Sequence, residues 1–298
     1  MITPKFLSHG DKIAIVAPAR KIELNELADA TKYFNDLGLV VVHGKHLFNK
    51  DHQFAGTDLE RASDFQTMLD DPEIKAIIFA RGGYGTIRIL DLINWEMFRK
   101  NPKWLIGFSD ITAIHSHIYS NFKIETIHGI MPLNFGKMTN ESRNSLKKIL
   151  FGEKLKYEID QHPFNRKAEA EGELIGGNLS LLHTLKGSNS DLQTAGKILF
   201  IEDLDEYLYH IDRMMISLKR SGHLKNLAGL IVGGMTDMND NAKPFGETAY
   251  EIIKRTVESY DYPVCYGFPA GHINDNRALI LGRKVKLSIK DKVEVNFI

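Results

Sequence analysis

Short apolar runs alternate with amphipathic segments through the first half of the chain. The apolar runs cover residues 12–17, 39–43, 74–80 and 104–106, and a segment with apolar residues at helical spacing follows each of them. Continuous apolar runs of this length are typical of strands that are buried on both faces of a parallel sheet. Strands that alternate with helices indicate βαβ units, so we predict a parallel-sheet α/β domain over residues 1–150.

The pattern changes in the middle of the chain. Residues 151–170 are polar and irregular, and we predict that they form a linker. Apolar runs at 197–202 and 227–232 again alternate with helical segments, whereas residues 278–298 alternate weakly between apolar and polar side chains, as hairpin strands do. We therefore predict a second, smaller α/β domain over residues 171–298 that is rich in mixed strands.

Ser109 falls where the apolar run 104–106 passes into a helix without a spacer. A serine held in such a strand-to-helix turn can expose its hydroxyl as a nucleophile elbow does, and the helix N-terminus favours developing negative charge. The Ser109-Asp110 pair is equally good N-cap chemistry, and the sequence lacks the second glycine of the G-x-S-x-G motif. The local pattern leaves both interpretations open.

Composition narrows the class of protein. The chain has 298 residues, of which 43% are apolar and 26% charged, and its formal net charge of zero gives no reason to expect a nucleic acid or a membrane as partner. A single cysteine, Cys265, excludes an internal disulfide framework and a CxxC zinc motif. The N-terminal residues lack the pattern of a signal peptide, and no apolar run is long enough to span a membrane. We expect a cytoplasmic protein.

A serine nucleophile needs a base and a carboxylate that orients the base. His272 follows a predicted strand at 263–268, and Glu202 ends the apolar run 197–202, so both should be held at strand ends. Three further acids, Asp203, Asp205 and Glu206, lie within four residues of Glu202. A loop histidine that caps a turn and a solvated acidic turn are the alternative interpretations of these two segments.

The glycine-rich segment 82–85 follows the predicted strand at 74–80. It matches neither G-x-G-x-x-G nor a P-loop, but glycines let backbone N–H groups approach a ligand oxygen closely. One such N–H, paired with the N–H of Asp110 after Ser109, would complete an oxyanion hole. A tight turn without any ligand explains the same residues.

Six segments together resemble the LD-carboxypeptidase family, serine peptidases that include murein tetrapeptide carboxypeptidases and microcin-immunity peptidases. They occur in the family's order and span nearly the whole chain, which makes the set specific although each segment alone is weak. The six segments are VAPAR, ARGGYGTIRIL, LIGFSDITAIH, IGGNLSLL, ILFIEDLDEYLYHIDRM and FPAGHINDNRALILG.

The resemblance implies a catalytic triad of Ser109, Glu202 and His272, with the serine in the first domain, the acid and base in the second, and the site in the cleft between them. It also implies an oxyanion hole from the N–H groups of Asp110 and Gly83, with Gly82 as the alternative glycine. Family members are typically cytoplasmic homodimers without a metal or an organic cofactor, and we expect the same here.

The activity implied is hydrolysis of an L,D-peptide bond, which would release D-alanine from a murein tetrapeptide during cell-wall recycling. We expect Arg81 and Asn178 to contact this peptide, and Arg81, Arg88 and Arg213 are the candidates for binding its terminal carboxylate.

Two other functions are compatible with the sequence. An immunity-type peptidase would cleave a peptide–nucleotide antibiotic, which usually needs an aromatic platform for the base. Trp95 and Trp104, the only tryptophans, fall in the framework of the first domain, which disfavours that substrate. A non-enzymatic protein that binds a small ligand in its cleft is the third possibility, because domain interfaces are common ligand sites.

Overall fold

The computed structural model describes residues 1–298, which form two β-sheets covered by helices. The strands are β1 (Lys12–Val16), β2 (Val40–His43), β3 (Ile74–Phe79), β4 (Trp104–Gly107), β5 (Thr126–His128), β6 (Lys156–Ile159), β7 (Glu169–Asn178), β8 (Ile198–Leu204), β9 (Gly229–Thr236), β10 (Val264–Cys265), β11 (Leu279–Leu281), β12 (Lys284–Ile289) and β13 (Val293–Phe297).

Nine α-helices connect or flank these strands, and none has the length and apolar character that crossing a bilayer requires. The helices are α1 (Ala28–Asp36), α2 (Asp58–Asp70), α3 (Thr86–Ile89), α4 (Glu96–Lys100), α5 (Thr112–Phe122), α6 (Asn140–Leu150), α7 (Leu179–Thr184), α8 (Leu208–Arg220) and α9 (Ala249–Thr256).

The first sheet has six strands in the order β11-β5-β4-β3-β1-β2. Strands β1 to β5 run parallel, whereas β11 is antiparallel to β5. The parallel sheet predicted for the first half of the chain is therefore confirmed. Its carboxyl edge, where such sheets bind ligands, carries the turns that contain Pro18, Gly82 and Ser109.

The second sheet has seven strands in the order β10-β9-β8-β7-β12-β13-β6. Strands β7 to β10 are parallel, and the remaining pairs are antiparallel, so the predicted mixture of strand directions is confirmed. Glu202 lies near the carboxyl end of β8, and His272 lies in the segment that follows β10. Both side chains therefore come from the same edge of the parallel part of this sheet.

The segment predicted as a linker, residues 151–170, contains regular structure. β6 lies within it, and β7 begins at Glu169 and continues to Asn178. β6 is an edge strand in which exposed charged residues alternate with the buried Tyr157, so it has no continuous apolar run to reveal it. The division into domains at 150 and 171 stays a prediction.

The two sheets share one hydrophobic core. The largest cluster contains 41 buried residues, among them Ile15, Ile78 and Trp104 from the first sheet and Phe200 and Val285 from the second. Burial of apolar surface is the dominant favourable contribution to such a contact. Two smaller clusters lie on the opposite faces of the sheets, beneath the helices.

Two glycines at the end of β7 allow close packing, Gly176 against the neighbouring strand β8 and Gly177 against the first half of the molecule. Gly176 has φ of 125°, and a Cβ there would lie 1.9 Å from the carbonyl oxygen of Phe200. A Cβ on Gly177 would lie 2.5 Å from Oγ1 of Thr112, which also accepts the backbone N–H of Asn178 at 3.0 Å. Because Thr112 begins α5, this contact fixes the helix that follows Ser109 against the second sheet.

We expect Gly176→Ala to lower the free energy of unfolding by about 3 kcal/mol or more, because its methyl group would overlap a backbone atom and its φ would be strained. Gly246→Ala is the matched control, since Gly246 has φ of 94° but open space around its Cβ position, and it should cost only about 1 kcal/mol of backbone strain. Denaturant unfolding of both variants measures the difference. Equal losses would contradict the predicted overlap.

Candidate active site

Ser109 occupies a strained turn between β4 and α5. Its φ of 64° is left-handed, which costs a non-glycine residue about 1–3 kcal/mol unless the surroundings hold it in place. The residue opens a short 3-10 turn, Ser109–Ile111, that leads directly into α5. This geometry matches the nucleophile elbow expected from the sequence, in which strain holds the hydroxyl away from the sheet.

A chain of hydrogen bonds joins Ser109, His272 and Glu202. The distance from His272 Nε2 to Ser109 Oγ is 3.0 Å, and His272 Nδ1 lies 2.6 Å from Glu202 Oε2. A carboxylate can only accept, so the imidazole carries its proton on Nδ1, and Nε2 is left to accept the hydroxyl proton of Ser109. The structure thus brings together the three side chains that the sequence singled out.

Two further contacts fix the orientation of the imidazole. The backbone N–H of His272 also donates to Glu202 Oε2, at 3.2 Å, and the ring packs against Phe108 with 4.9 Å between ring centroids. Gly271, with φ of 104°, has no room for a side chain, because a Cβ there would lie 2.7 Å from the Glu202 carboxylate. The turn before His272 therefore wraps closely around the acid.

The imidazole and the carboxylate stabilise each other's charged form. Burial disfavours the imidazolium, but the charge of Glu202 and its hydrogen bond outweigh burial and raise the pKa of His272 above its ordinary value. Burial likewise opposes the carboxylate of Glu202, yet His272 holds the pKa of that carboxyl below its usual range. The pair can thus exchange a proton with Ser109 while Glu202 remains ionised.

Asp203 is buried next to Glu202 but has different partners. It accepts hydrogen bonds from Asn178 Nδ2 at 2.8 Å and from the backbone N–H groups of Ser180 and Leu204 at 2.9 Å. Burial, reinforced by the charge of Glu202, raises the pKa of Asp203 to about 7. It forms no hydrogen bond with His272, although its charge also favours the imidazolium and so helps to raise the pKa of His272.

The other two acids in this segment also have partners of their own. Asp205 accepts a hydrogen bond from Asn239 at 2.8 Å, and Glu206 lies 2.5 Å from His210. Of the four acids that the sequence offered, Glu202 is the one that meets His272.

The glycine-rich turn after β3 lies against Ser109. A Cβ on Gly82 would lie 3.2 Å from Ser109 Cβ and 3.3 Å from the backbone nitrogen of Asp110. Gly83 instead faces Arg20, whose Cδ would lie 2.6 Å from its Cβ position. The structure therefore places Gly82 nearest to the Ser109 turn, and the Gly83 N–H as an oxyanion donor stays a prediction.

The side chain of Asp110 connects the glycine-rich turn to the Ser109 turn. The buried carboxylate accepts the backbone N–H of Thr86, the first residue of α3, at 2.9 Å. Burial raises the pKa of Asp110, and the hydrogen bonds from Thr86 oppose that shift. The side chain is used structurally, which leaves the backbone N–H of Asp110 as the predicted oxyanion donor.

The expected substrate contacts have different surroundings. Arg81 is half-buried and donates to the carbonyl oxygen of Lys21 at 3.2 Å, and burial lowers its pKa. Asn178 is buried and caps the N-terminus of α7, where its Oδ1 accepts from Leu181 and Ser180. Their contacts with a substrate stay predictions.

The other two arginine candidates are already engaged. Arg88 forms a bidentate ion pair with Asp58 at 2.8–3.1 Å, and Arg213 lies over the ring of Tyr209.

Two buried polar residues near Glu202 are not among the site residues predicted from the sequence. His128, at the end of β5, and Asn276, four residues after His272, are both fully buried. The signal for His128 was its place at the end of an apolar run, on the same edge as the Ser109 turn. The pattern alone did not separate it from eleven other histidines.

Comparison with known proteins gives the same family for both halves of the chain. A sequence model described as the LD-carboxypeptidase N-terminal domain matches residues 13–129, and one described as the LD-carboxypeptidase C-terminal domain matches residues 171–287. A probable murein peptide carboxypeptidase of Bacillus subtilis is 35% identical over 297 residues, covering 98% of this chain and 93% of its own.

Two further relatives differ in what their names say they act on. The crystal structure of a muramoyltetrapeptide carboxypeptidase from Oxalobacter formigenes superposes with a TM-score of 0.88 at 26% identity, over 96% of this chain and 98% of its own. A microcin C7 self-immunity protein of Escherichia coli is 28% identical, over 96% of this chain and 93% of its own.

We expect His272 to titrate above 6.5 in the folded protein, because the Glu202 carboxylate stabilises its imidazolium. Glu202→Gln should lower the midpoint below 6.5, since burial then acts without the opposing charge. Glu206→Gln is the matched control and should leave the midpoint unchanged, because Glu206 pairs with His210. Nitrogen NMR of ¹⁵N-histidine-labelled protein measures the His272 midpoint in the unmodified protein and in both variants. A midpoint that is the same in Glu202→Gln as in the unmodified protein would contradict the pairing of His272 with Glu202.

Proposed function

Because the chain belongs to the LD-carboxypeptidase family of serine peptidases, we propose that it hydrolyses the peptide bond between an L-centre and a C-terminal D-amino acid. The substrate is a murein tetrapeptide and the product is D-alanine, released during cell-wall recycling. The names of the Bacillus and Oxalobacter relatives support this class of substrate. The observation that carries the chemistry is the hydrogen-bonded chain from Ser109 through His272 to Glu202.

The first half of the reaction forms an acyl-enzyme. Ser109 Oγ attacks the scissile carbonyl carbon while His272 Nε2 takes the hydroxyl proton, and Glu202 stabilises the resulting imidazolium. The carbonyl oxygen becomes an oxyanion that accepts hydrogen bonds from the N–H groups of Asp110 and Gly83, with Gly82 as the alternative to Gly83. When the C–N bond breaks, His272 gives its proton to the amine of the leaving D-alanine.

The second half of the reaction restores the serine. A water molecule attacks the ester carbon, and His272 Nε2 takes one of its protons. The same oxyanion donors stabilise the second tetrahedral intermediate. When the bond to Ser109 Oγ breaks, the imidazolium returns its proton to the serine, and the shortened peptide leaves with a new carboxylate.

An enzyme that removes a terminal residue also needs a cation for the free carboxylate. Arg88 and Arg213 are engaged with Asp58 and Tyr209, respectively. Arg81 directly precedes the glycine-rich turn that lies against Ser109, and the exposed Arg20 packs on the same turn at Gly83. We assign the terminal carboxylate to Arg81 and Arg20.

The immunity-type activity is the second candidate, and one surface feature favours it. Trp95 and Trp104 are buried in the cores around the first sheet and cannot stack on a base. Tyr207 and Tyr209 are exposed, with 5.5 Å between ring centroids, in the segment that follows β8 at the same sheet edge as Glu202. This pair could supply an aromatic platform for a peptide–nucleotide substrate.

The setting of the reaction belongs to the same proposal. The free, buried Cys265 fits a cytoplasmic protein, where disulfides are rare. We also propose that the protein is a homodimer, in which every chemical step above uses groups of a single chain.

Ser109→Ala should reduce kcat for release of D-alanine from L-lysyl-D-alanine or diaminopimelyl-D-alanine tetrapeptides by roughly 10³-fold or more, because no other group can form the acyl-enzyme. Ser63→Ala, at an exposed position in α2, is the control and should keep full activity. Mass spectrometry of the products measures both variants, alongside an aminoacyl-sulfamoyl adenylate as rival substrate.

Three outcomes of that experiment are informative. Unchanged turnover in Ser109→Ala would reject the nucleophile, and faster cleavage of the adenylate would favour the immunity-type activity. If an active-site serine probe labels no residue and neither substrate is cleaved, the protein is a binding module.

Arg20→Ala should raise KM for the tetrapeptide roughly tenfold while kcat changes little, because the lost ion pair is made equally in the ground and transition states. A tetrapeptide amide, which lacks the terminal charge, should be insensitive to the same substitution. Arg88→Ala is the control, since Arg88 is engaged by Asp58. Steady-state kinetics on the acid and the amide test this assignment, and equal effects on both substrates would overturn it.

A further inference from the structure

Four polar atoms around Glu202 are buried without a hydrogen-bond partner. They are Oε1 of Glu202, both ring nitrogens of His128, and Nδ2 of Asn276. All three side chains are fully buried. A buried polar group left unpaired costs about 1–3 kcal/mol, and such groups normally have a protein or water partner. Several unpaired polar atoms in one place indicate that a further hydrogen-bonding group binds between these side chains.

These atoms belong to one cluster. Asn276 Oδ1 accepts the backbone N–H of Gly271 at 2.9 Å, and the Cβ position of Gly271 lies 2.7 Å from Glu202 Oε2. The His128 ring packs edge-on against Phe200, two residues before Glu202 in β8, with 4.9 Å between centroids. Three elements, the ends of β5 and β8 and the turn after His272, therefore meet around Glu202, close enough that the Glu202 charge and the Asn276 side chain both act on His128.

We propose that one interior water binds Glu202 Oε1, Asn276 Nδ2 and a ring nitrogen of His128, and that His128 is a positioning residue for Glu202. The inference rests on the proposed function for its kinetic consequences. The water accepts from the Asn276 amide and from the imidazole N–H, and donates to the carboxylate. Interior waters usually make about three such bonds to otherwise unpaired groups.

A neutral histidine suits this place better than a charged one. Burial lowers the pKa of His128 to about 4; the charge of Glu202 and the neighbouring Asn276 side chain oppose that shift, whereas His272 adds to it. The other titratable groups that face this cluster are Asp203, beside Glu202, and His115, which burial also keeps neutral. His128 thus supplies a hydrogen bond without a positive charge that would compete with His272 for the carboxylate.

The water gives Glu202 one fixed orientation. With Oε1 held by His128 and Asn276, Oε2 stays directed at both N–H groups of His272. Without that anchor the carboxylate can rotate, and its ionised form loses a hydrogen bond in a buried place. A misplacement of about 1 Å at a reacting group can cost roughly 100-fold in rate.

His128→Phe tests the proposal, because it keeps the shape of the ring and removes both nitrogens. We expect kcat for the tetrapeptide to fall roughly 10- to 100-fold with KM changed less than about threefold, and the acid limb of kcat/KM to move to lower pH as Glu202 stabilises the imidazolium less. His128→Gln, which retains an amide donor, should restore most of the loss. His43→Phe is the control, since His43 also has an unpartnered ring nitrogen but lies at the end of β2.

The outcomes separate this inference from the proposed function. If Ser109→Ala is inactive but His128→Phe has normal kcat and an unchanged pH profile, the positioning role is wrong and the hydrolase proposal stands. If Ser109→Ala is fully active, the proposed function fails, and the His272 midpoint measured by NMR still tests His128, because its fall in His128→Phe needs no turnover.

A variant that does not fold leaves two measurements. Asn276→Ser removes the amide donor at the other side of the water and should lower kcat and the His272 midpoint in the same direction. A crystal structure of the unmodified protein should contain a water within hydrogen-bond distance of Glu202 Oε1 and Asn276 Nδ2. A direct hydrogen bond between His128 and Glu202 in that structure would contradict the bridging water. Normal kinetics in the Asn276→Ser variant would contradict the proposal that the water holds Glu202 in one orientation.

Discussion

The apolar contact between the two sheets is the constraint on which the site depends. Ser109 comes from the first sheet and Glu202 and His272 from the second, yet their polar atoms meet within 3.0 Å. His272 lies in an irregular segment, and ordering such a segment costs conformational entropy that the surrounding packing must offset. The shared cluster of 41 buried residues provides the rigidity, since close-packed interiors resist small displacements.

Close packing also explains why the acid of the site is so deeply buried. Glu202 is fully buried, where a lone carboxylate would be strongly destabilised. His272 offsets that cost on one oxygen through a charge-assisted hydrogen bond. The neighbouring Asp203, which is also buried, turns to Asn178 and to backbone N–H groups, so the two acids have separate partners. A buried acid that is rigidly held orients a base better than one in water can.

Much of the site could be predicted because its residues follow strands. Ser109, Glu202 and His272 each lie where an apolar run ends, and parallel strands bring such ends to one edge. His128 and Asn276 were not predicted as site residues because their importance comes from three-dimensional burial, which a sequence pattern does not record. β6 and the first part of β7 were not predicted for another reason. β6 is an edge strand, and residues 169–173 of β7 pair with β12 alone, so both carry charged residues and lack the apolar run that marks a buried strand. Gly82 and Gly83 were both candidates, and only the packing against Ser109 and Arg20 distinguishes them.

Strand β11 has a consequence for how the chain can be divided. It lies between β10 and β12 in the sequence but pairs with β5 at the end of the first sheet, so late residues complete a sheet that early residues begin. A fragment that stopped before residue 150 would leave β5 with an open edge and an uncovered apolar face, a template for pairing with other chains. The two halves are therefore better suited to complementing each other in trans than to folding alone. Synthesis must reach residue 281 before β11 can add the last strand to the first sheet.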